Sequence, residues 1–183
     1  MIRKYKIITL VFILILSLSA CRNKSHRGNS ETRRGNRERA EIPKTQREKS
    51  TNTQNSSVIK MRKSGGVYYV PCKINGTEMD FIFDTGASSI CMSLTEAMFL
   101  YKHGKLKDKD IYDKQQYQTA DGSIHEGMIV VLREVIIGDW KLQNVQATVV
   151  DNMDAPLLLG QSALAAFGKI SIDYSKNEIT FFE

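Results

Sequence analysis

Cysteine, proline and long apolar runs are all scarce in this chain. Its 183 residues include three cysteines, three prolines and one extended apolar stretch. So few cysteines exclude a disulfide-dense small domain. So few prolines exclude collagen, and one apolar run excludes a multi-span membrane protein. Histidine is equally sparse: His26, His103 and His125 are scattered, and neither H-x-x-x-H nor C-x-x-C spacing offers a zinc site. There is no G-x-S-x-G elbow and no P-loop, so the chain implies no cofactor. What is in excess is positive charge, +6 in total. It is unevenly placed: residues 1–20 carry +3, residues 21–57 carry +6 and residues 58–183 carry −3. The part able to fold is acidic, which argues against a nucleic-acid-binding domain.

The first twenty residues read as an address. Arg3, Lys4 and Lys6 precede the apolar run from Ile7 to Leu16, the pattern of a secretory signal. A spanning helix needs about 20 apolar residues, so this run is short for a permanent anchor. It ends in Leu18-Ser19-Ala20-Cys21, which resembles the lipobox of bacterial lipoproteins. That resemblance implies cleavage before Cys21 and a lipid on its thiol. It places the protein in the bacterial cell envelope, and Arg22 in place of an aspartate favours the outer membrane where a cell has two. Residues 22–57 hold only Ala40 and Ile42 as apolar side chains and no aromatic. Such a stretch cannot bury enough surface to offset backbone ordering, so residues 21–57 are expected to be a lipidated cysteine followed by a disordered basic tether.

From Val58 onward the hydrophobic period is mainly two. Tyr68, Val70, Cys72 and Ile74 alternate with the residues between them, and Asn75-Gly76 supplies a strong hairpin signal. The return strand is read as Met79–Asp84. Ser93-Leu94-Thr95-Glu96 has capping-box spacing and predicts a helix to about His103, with Gly104 as its stop. Lys105–Lys114 is read as a solvated charged loop. Further hairpins are expected to turn at Asp121-Gly122 and Gly138-Asp139, with a short helix near Ser162–Phe167 and strands at Lys169–Tyr174 and Glu178–Phe182. Short strands with regular turn punctuation indicate a mainly β barrel or sandwich over residues 58–183, with one helical insertion and a short helix near the C-terminus.

The chemistry is concentrated at Asp84-Thr85-Gly86. Phe81-Ile82-Phe83 reads as core, so Asp84 emerges at the edge of a buried sheet. The Thr85 hydroxyl can fix the loop to a neighbouring strand, and Gly86 lets its N–H approach the carboxylate with no Cβ in the way. A tight turn carrying a solvated acid is the plainer alternative.

Phe83-Asp84-Thr85-Gly86-Ala87-Ser88-Ser89 resembles the active-site loop of retropepsin-like aspartic proteases. Thr119-Ala120-Asp121-Gly122 resembles the flap tip of bacterial members, and Leu158-Leu159-Gly160 their second hydrophobic-hydrophobic-glycine element. The resemblance covers about Val67 to Phe182. It implies a closed β-barrel of one lobe per chain and a catalytic role for Asp84. It also implies hydrolysis of peptide bonds in a peptide or protein substrate. Only one Asp-Thr-Gly occurs, and there is no Asp-Ser-Gly. Two carboxylates sharing a proton therefore require a second chain, which implies a homodimer with one Asp84 from each copy. The insertion Leu94–Gln116 is longer than its counterpart in retroviral enzymes. Cys72 and Cys91 either pair after export or remain free buried thiols, the latter being favoured. Tyr117, Gln118 and Ser123 either line a cleft or are plain exposed strand residues. The competing functional class is a peptide-binding or adaptor lipoprotein that keeps the fold without assembling a dyad.

Overall fold

A computed structural model describes residues 41–49 and 56–182. The signal-like run, Cys21 and most of the expected tether lie outside the described residues. The strands are β1 (Gln46–Lys49), β2 (Ser56–Lys60), β3 (Arg62–Ser64), β4 (Val67–Ile74), β5 (Thr77–Phe83) and β6 (Ile90–Ser93). After helix α1 (Leu94–Lys102) come β7 (Ile111–Gln118), β8 (Ile124–Ile137), β9 (Trp140–Val150) and β10 (Leu158–Leu159). Helix α2 (Gln161–Ala166), β11 (Ile170–Asp173) and β12 (Glu178–Phe182) follow.

Turn chemistry sets the first hairpins. Asn75 and Gly76 both adopt positive φ, 48° and 85°, as a two-residue turn between antiparallel strands demands. β4 and β5 pair from Ile74↔Thr77 to Tyr69↔Ile82. β8 and β9 pair around Gly138-Asp139 from Ile137↔Trp140 to Gly127↔Val150. The sheet runs β9-β6-β10-β5-β4-β8, and β8 pairs back onto β9. That last pairing closes the ring, so the strands form a β-barrel with no free edge in the ring itself. β7 extends from β8 as a projecting hairpin, and β2, β12 and β11 form a separate three-stranded sheet.

The alternating pattern places one face of each strand inward. Val70, Cys72 and Ile74 from β4 meet Phe81, Ile90, Leu132, Val135, Leu142 and Leu159 in one buried cluster. Phe167 and Phe181 tie α2 to the smaller sheet, with ring centroids 4.6 Å apart. Ser93 caps α1 by accepting from the Glu96 N–H at 3.3 Å, and α1 buries Ala97 and Leu100.

Three expectations are corrected. Residues 46–49, assigned to the tether, form β1 and pair with β9 from Gln46↔Gln143 to Lys49↔Trp140. The strand has no apolar side chain, but the Arg47 guanidinium lies 3.9 Å over the Trp140 ring and donates to the Phe182 carbonyl at 2.9 Å. The other end of that assignment also moves, because β2 starts at Ser56 and not after residue 57. The stretch 105–114 is not a solvated loop. Leu106 and Asp110 are buried, and the chain from Ile111 is already strand. Asp110 accepts from the Lys107 N–H at 2.9 Å and from Arg133 Nη1, and Arg133 Nη2 donates to the Lys105 carbonyl at 2.9 Å. Finally, β5 ends at Phe83, so Asp84 stands just beyond the strand.

Candidate active site

Asp84 owes its position to β10. Leu158 and Leu159 run parallel to Ile82 and Phe83, while Leu158 also faces Cys91 of β6. This two-residue strand fills the gap between β5 and β6, and the Leu159 carbonyl accepts the Asp84 N–H at 3.2 Å. The carboxylate is half-buried, with Thr85 and Gly86 exposed beside it. The Gly86 N–H donates to Asp84 Oδ1 at 2.8 Å. A Cβ on Gly86 would stand 3.2 Å from that same oxygen, so the absence of a side chain is what keeps this approach open.

The loop 84–89 is clamped from the α2 side. The Gln161 N–H donates to the Ala87 carbonyl at 2.8 Å and the Ser162 N–H to the Ser88 carbonyl at 3.0 Å. Gln161 Nε2 donates to the Thr85 carbonyl at 2.9 Å. Ser89 and Thr148 share a hydroxyl–hydroxyl bond of 3.1 Å. Gly160 is wedged against this loop, where a Cβ would meet the Ser89 carbonyl oxygen at 2.2 Å and that of Ala87 at 2.7 Å. Asp84–Ala87 and Leu158–Gly160, far apart in sequence, are thus one hydrogen-bonded unit. Gln161 is the residue that motif reading missed. Its only signal was its place directly after Gly160, which says nothing of where its amide reaches.

The expected flap residues sit at the tip of the β7–β8 hairpin. Thr119 Oγ1 donates to Asp121 Oδ1 at 2.6 Å, the Ser123 N–H donates to the same oxygen at 3.0 Å, and the Gly122 N–H donates to the Thr119 carbonyl at 2.9 Å. The Thr119 hydroxyl, then the Ser123 donors, hold the Asp121 carboxyl down to about 2. Ala120, Asp121 and Gly122 are exposed. The hydrogen bonds of this tip are internal to the hairpin, so it stands as a self-organised turn and not as part of the Asp84 unit. Gln118 Nε2 donates to the Gly122 carbonyl at 3.1 Å. Tyr117 stacks on His125 with centroids 5.6 Å apart. Those two rings help line a cavity of about 430 Å³ at the hairpin base, with Leu94, Met128, Val149 and Asp151; Asp84, Gln118 and Ser123 are not in its lining.

Cys72 and Cys91 are both free. Burial pushes the Cys72 thiol up, and nearby Asp80 adds to the effect. Burial also raises Cys91; a bond to Ser89 opposes this, and the charge of Asp84 reinforces it. Among the described residues no cluster of histidine, cysteine and acidic side chains is arranged to hold a metal ion.

A family model described as "gag-polyprotein putative aspartyl protease" matches residues 70–166, more than half of the chain. The chain belongs to this aspartyl protease family. The matched stretch takes in Asp84–Ala87, Thr119–Gly122 and Leu158–Gly160 together. A crystal structure titled as a retropepsin-like aspartic protease from Rickettsia conorii superposes with a TM-score of 0.52 at 27% identity, covering 75% of this chain and 92% of that one. "Uncharacterized protein RP867" of Rickettsia prowazekii (strain Madrid E) is 32% identical over 123 residues, 66% of this chain and 50% of the relative. The aligned part is therefore about half the length of that curated relative. The superposition agrees with the mainly β, retropepsin-like barrel that the strands close.

Proposed function

We propose that this chain is an aspartic endopeptidase of the bacterial cell envelope, anchored by a lipid on Cys21 and active as a homodimer. The observation that carries the reading is the Asp84 carboxylate, half-buried at a strand end, with one oxygen fixed by the Gly86 N–H at 2.8 Å and with Thr85 and Gly86 open to a second copy. One such motif per chain supports a dyad made of Asp84 from each copy across a two-fold axis. Two carboxyls about 3 Å apart hold one proton between them, because both cannot be charged at that distance. The ionised carboxylate takes a proton from a water as its oxygen attacks the scissile carbonyl carbon. The protonated partner donates to the carbonyl oxygen. Collapse of the tetrahedral species passes a proton to the leaving amine, and the pair returns to a single shared proton. An extended peptide added as a strand is the substrate class that this reading implies, with the Thr119–Gly122 tip acting as its flap.

Sedimentation equilibrium run beside an activity dilution series tests the dimer. Activity on a denatured protein substrate is expected to fall more steeply than linearly as the dimer dissociates. Full activity from a strictly monomeric species contradicts the dyad. Metabolic labelling with a fatty acid tests the anchor: wild type takes label and Cys21→Ser does not. Folded, dimeric protein without peptidase activity favours the peptide-binding or adaptor reading.

A further inference from the structure

The cavity of about 430 Å³ at the base of the β7–β8 hairpin takes no part in the chemistry at Asp84, yet it is lined as a side-chain pocket would be. Its size falls in the range of small-ligand sites. Leu94, Met128 and Val149 supply an apolar floor. Met128 and Val149 are direct cross-strand partners, and Lys114 of β7 pairs with Met128 on its other flank. Val149 is buried, whereas Met128 is 36% exposed, so the floor is open to an incoming group. The rim is charged, and its charges do not balance. Lys114 Nζ stands 3.5 Å from Glu126 Oε2, which sets the one cation of the lining against one acid. Asp151 is the second acid, exposed just past the end of β9. Among the described residues it makes no hydrogen bond or ion pair. With His125 neutral, the lining carries a net −1 at pH 7.

An apolar floor with one unpaired acid at its rim suits an arginine or lysine, whose stem is aliphatic and whose head is cationic. A glutamate or aspartate would meet Asp151 as a like charge, which discriminates against it. The cavity also lies within reach of the Asp84 loop. Ser89 ends that loop, β6 (Ile90–Ser93) follows it, and Leu94 of the cavity comes next. Met92 and Ser93 of β6 pair with Val149 and Val150 of the cavity wall. Five strand steps of about 3.3 Å put the cavity roughly 16 Å from Ser89. An extended peptide spans that distance in about five residues, or fewer where a long side chain makes up part of it.

We propose that this cavity takes an arginine or lysine side chain of the peptide substrate, three to five residues from the scissile bond, with Asp151 facing its cationic head. The proposal rests on the peptidase reading and names a substrate preference for it. The test has two arms, both on the full chain. In one, wild type cuts a mixture of denatured proteins and the cleavage sites are read by mass spectrometry. In the other, Asp84→Asn is bound to an array of random decapeptides and the retained sequences are read. Wild type is expected to favour lysine or arginine over methionine at one position in that range by up to about fivefold, as one exposed charge pair allows. The bound peptides carry the same bias. Asp151→Asn removes it in both arms, and Asp151→Lys turns it toward glutamate and aspartate. Cleavage with no basic preference in that range, or with one that Asp151→Asn leaves intact, overturns the proposal and leaves the peptidase reading standing. Binding with the Asp151-dependent bias but no cleavage keeps the pocket as a peptide-binding one and defeats the peptidase reading. Neither cleavage nor a bias in binding overturns both.

Discussion

Replacing Gly160 with alanine puts the packing of the candidate site to a quantitative test. The backbone there, at φ −92° and ψ −179°, suits any residue, so the effect is steric alone. The new Cβ would stand 2.2 Å from the Ser89 carbonyl oxygen and 2.7 Å from that of Ala87. Both are backbone atoms, and the loop must retreat by roughly 1 Å to reach van der Waals distance. Overpacking of this kind costs about 1–3 kcal/mol. The retreat also stretches the Gln161-to-Ala87 and Ser162-to-Ser88 bonds of 2.8 and 3.0 Å, at about 1 kcal/mol each. A loss of about 3–5 kcal/mol follows, a large share of the ~5–15 kcal/mol that holds a typical domain. Thermal unfolding followed by circular dichroism is expected to show a Tm lower by about 10–20 °C. Gly86→Ala is the matched control, since its Cβ meets only Asp84 Oδ1, at 3.2 Å. It is expected to cost under about 1 kcal/mol of stability, while displacing the carboxylate lowers kcat/KM by roughly tenfold or more. A Gly160→Ala protein within about 1 kcal/mol of wild type, or a Gly86→Ala protein equally destabilised, refutes the reasoning.

The ion pair that anchors the insertion predicts a second outcome. Asp110→Ala strands the Arg133 guanidinium, whose side chain is 35% exposed. Urea unfolding is expected to show a loss of about 2–4 kcal/mol, below the full value for a wholly buried pair. Arg133→Ala is expected to behave alike, and the double variant to lose less than the sum of the two. The turn at Asp121-Gly122 predicts a pH response. The folded Asp121 carboxyl lies near 2, below its ordinary value of about 3.9. Its contribution is therefore complete above about pH 4 and lost as pH falls through about 2. Gly122 and Ser123 amide resonances are expected to hold from neutral pH to about pH 3 and move only below it. Movement centred near pH 4 contradicts the assigned hydrogen bonds.

The parts legible in the sequence are those set by local chemistry. Asn75-Gly76, Asp121-Gly122 and Gly138-Asp139 each mark a turn because the required φ is written in the residue type, and Ser93 caps α1 through a neighbour three residues on. Pairings that depend on distant partners were not legible. β1 reads Gln-Arg-Glu-Lys, with nothing to bury, and becomes a strand because Trp140 and the Phe182 carbonyl receive Arg47. Asp110 sits in a run of lysines and reads as solvated, yet it is buried by an arginine that follows 23 residues later. The parallel pairing of β6 with β9 and the two-residue β10 leave no periodic trace. At the candidate site, the Asp-Thr-Gly and Leu-Leu-Gly motifs were readable as separate elements. Their union through Gly160 and Gln161 is a tertiary fact, visible only when carbonyls 87–89 are set against α2.

The most direct test of the central claim is cleavage of a denatured protein substrate by wild type, by Asp84→Asn and by dimers mixed from the two, with circular dichroism confirming each fold. The amide keeps the side-chain size and an oxygen to accept from the Gly86 N–H, so the fold is retained. Activity is expected in wild type alone, because a shared proton needs both carboxyls. Cleavage by Asp84→Asn at the wild-type rate, or a mixed dimer that retains full activity, contradicts the assignment of Asp84 as one half of a catalytic pair.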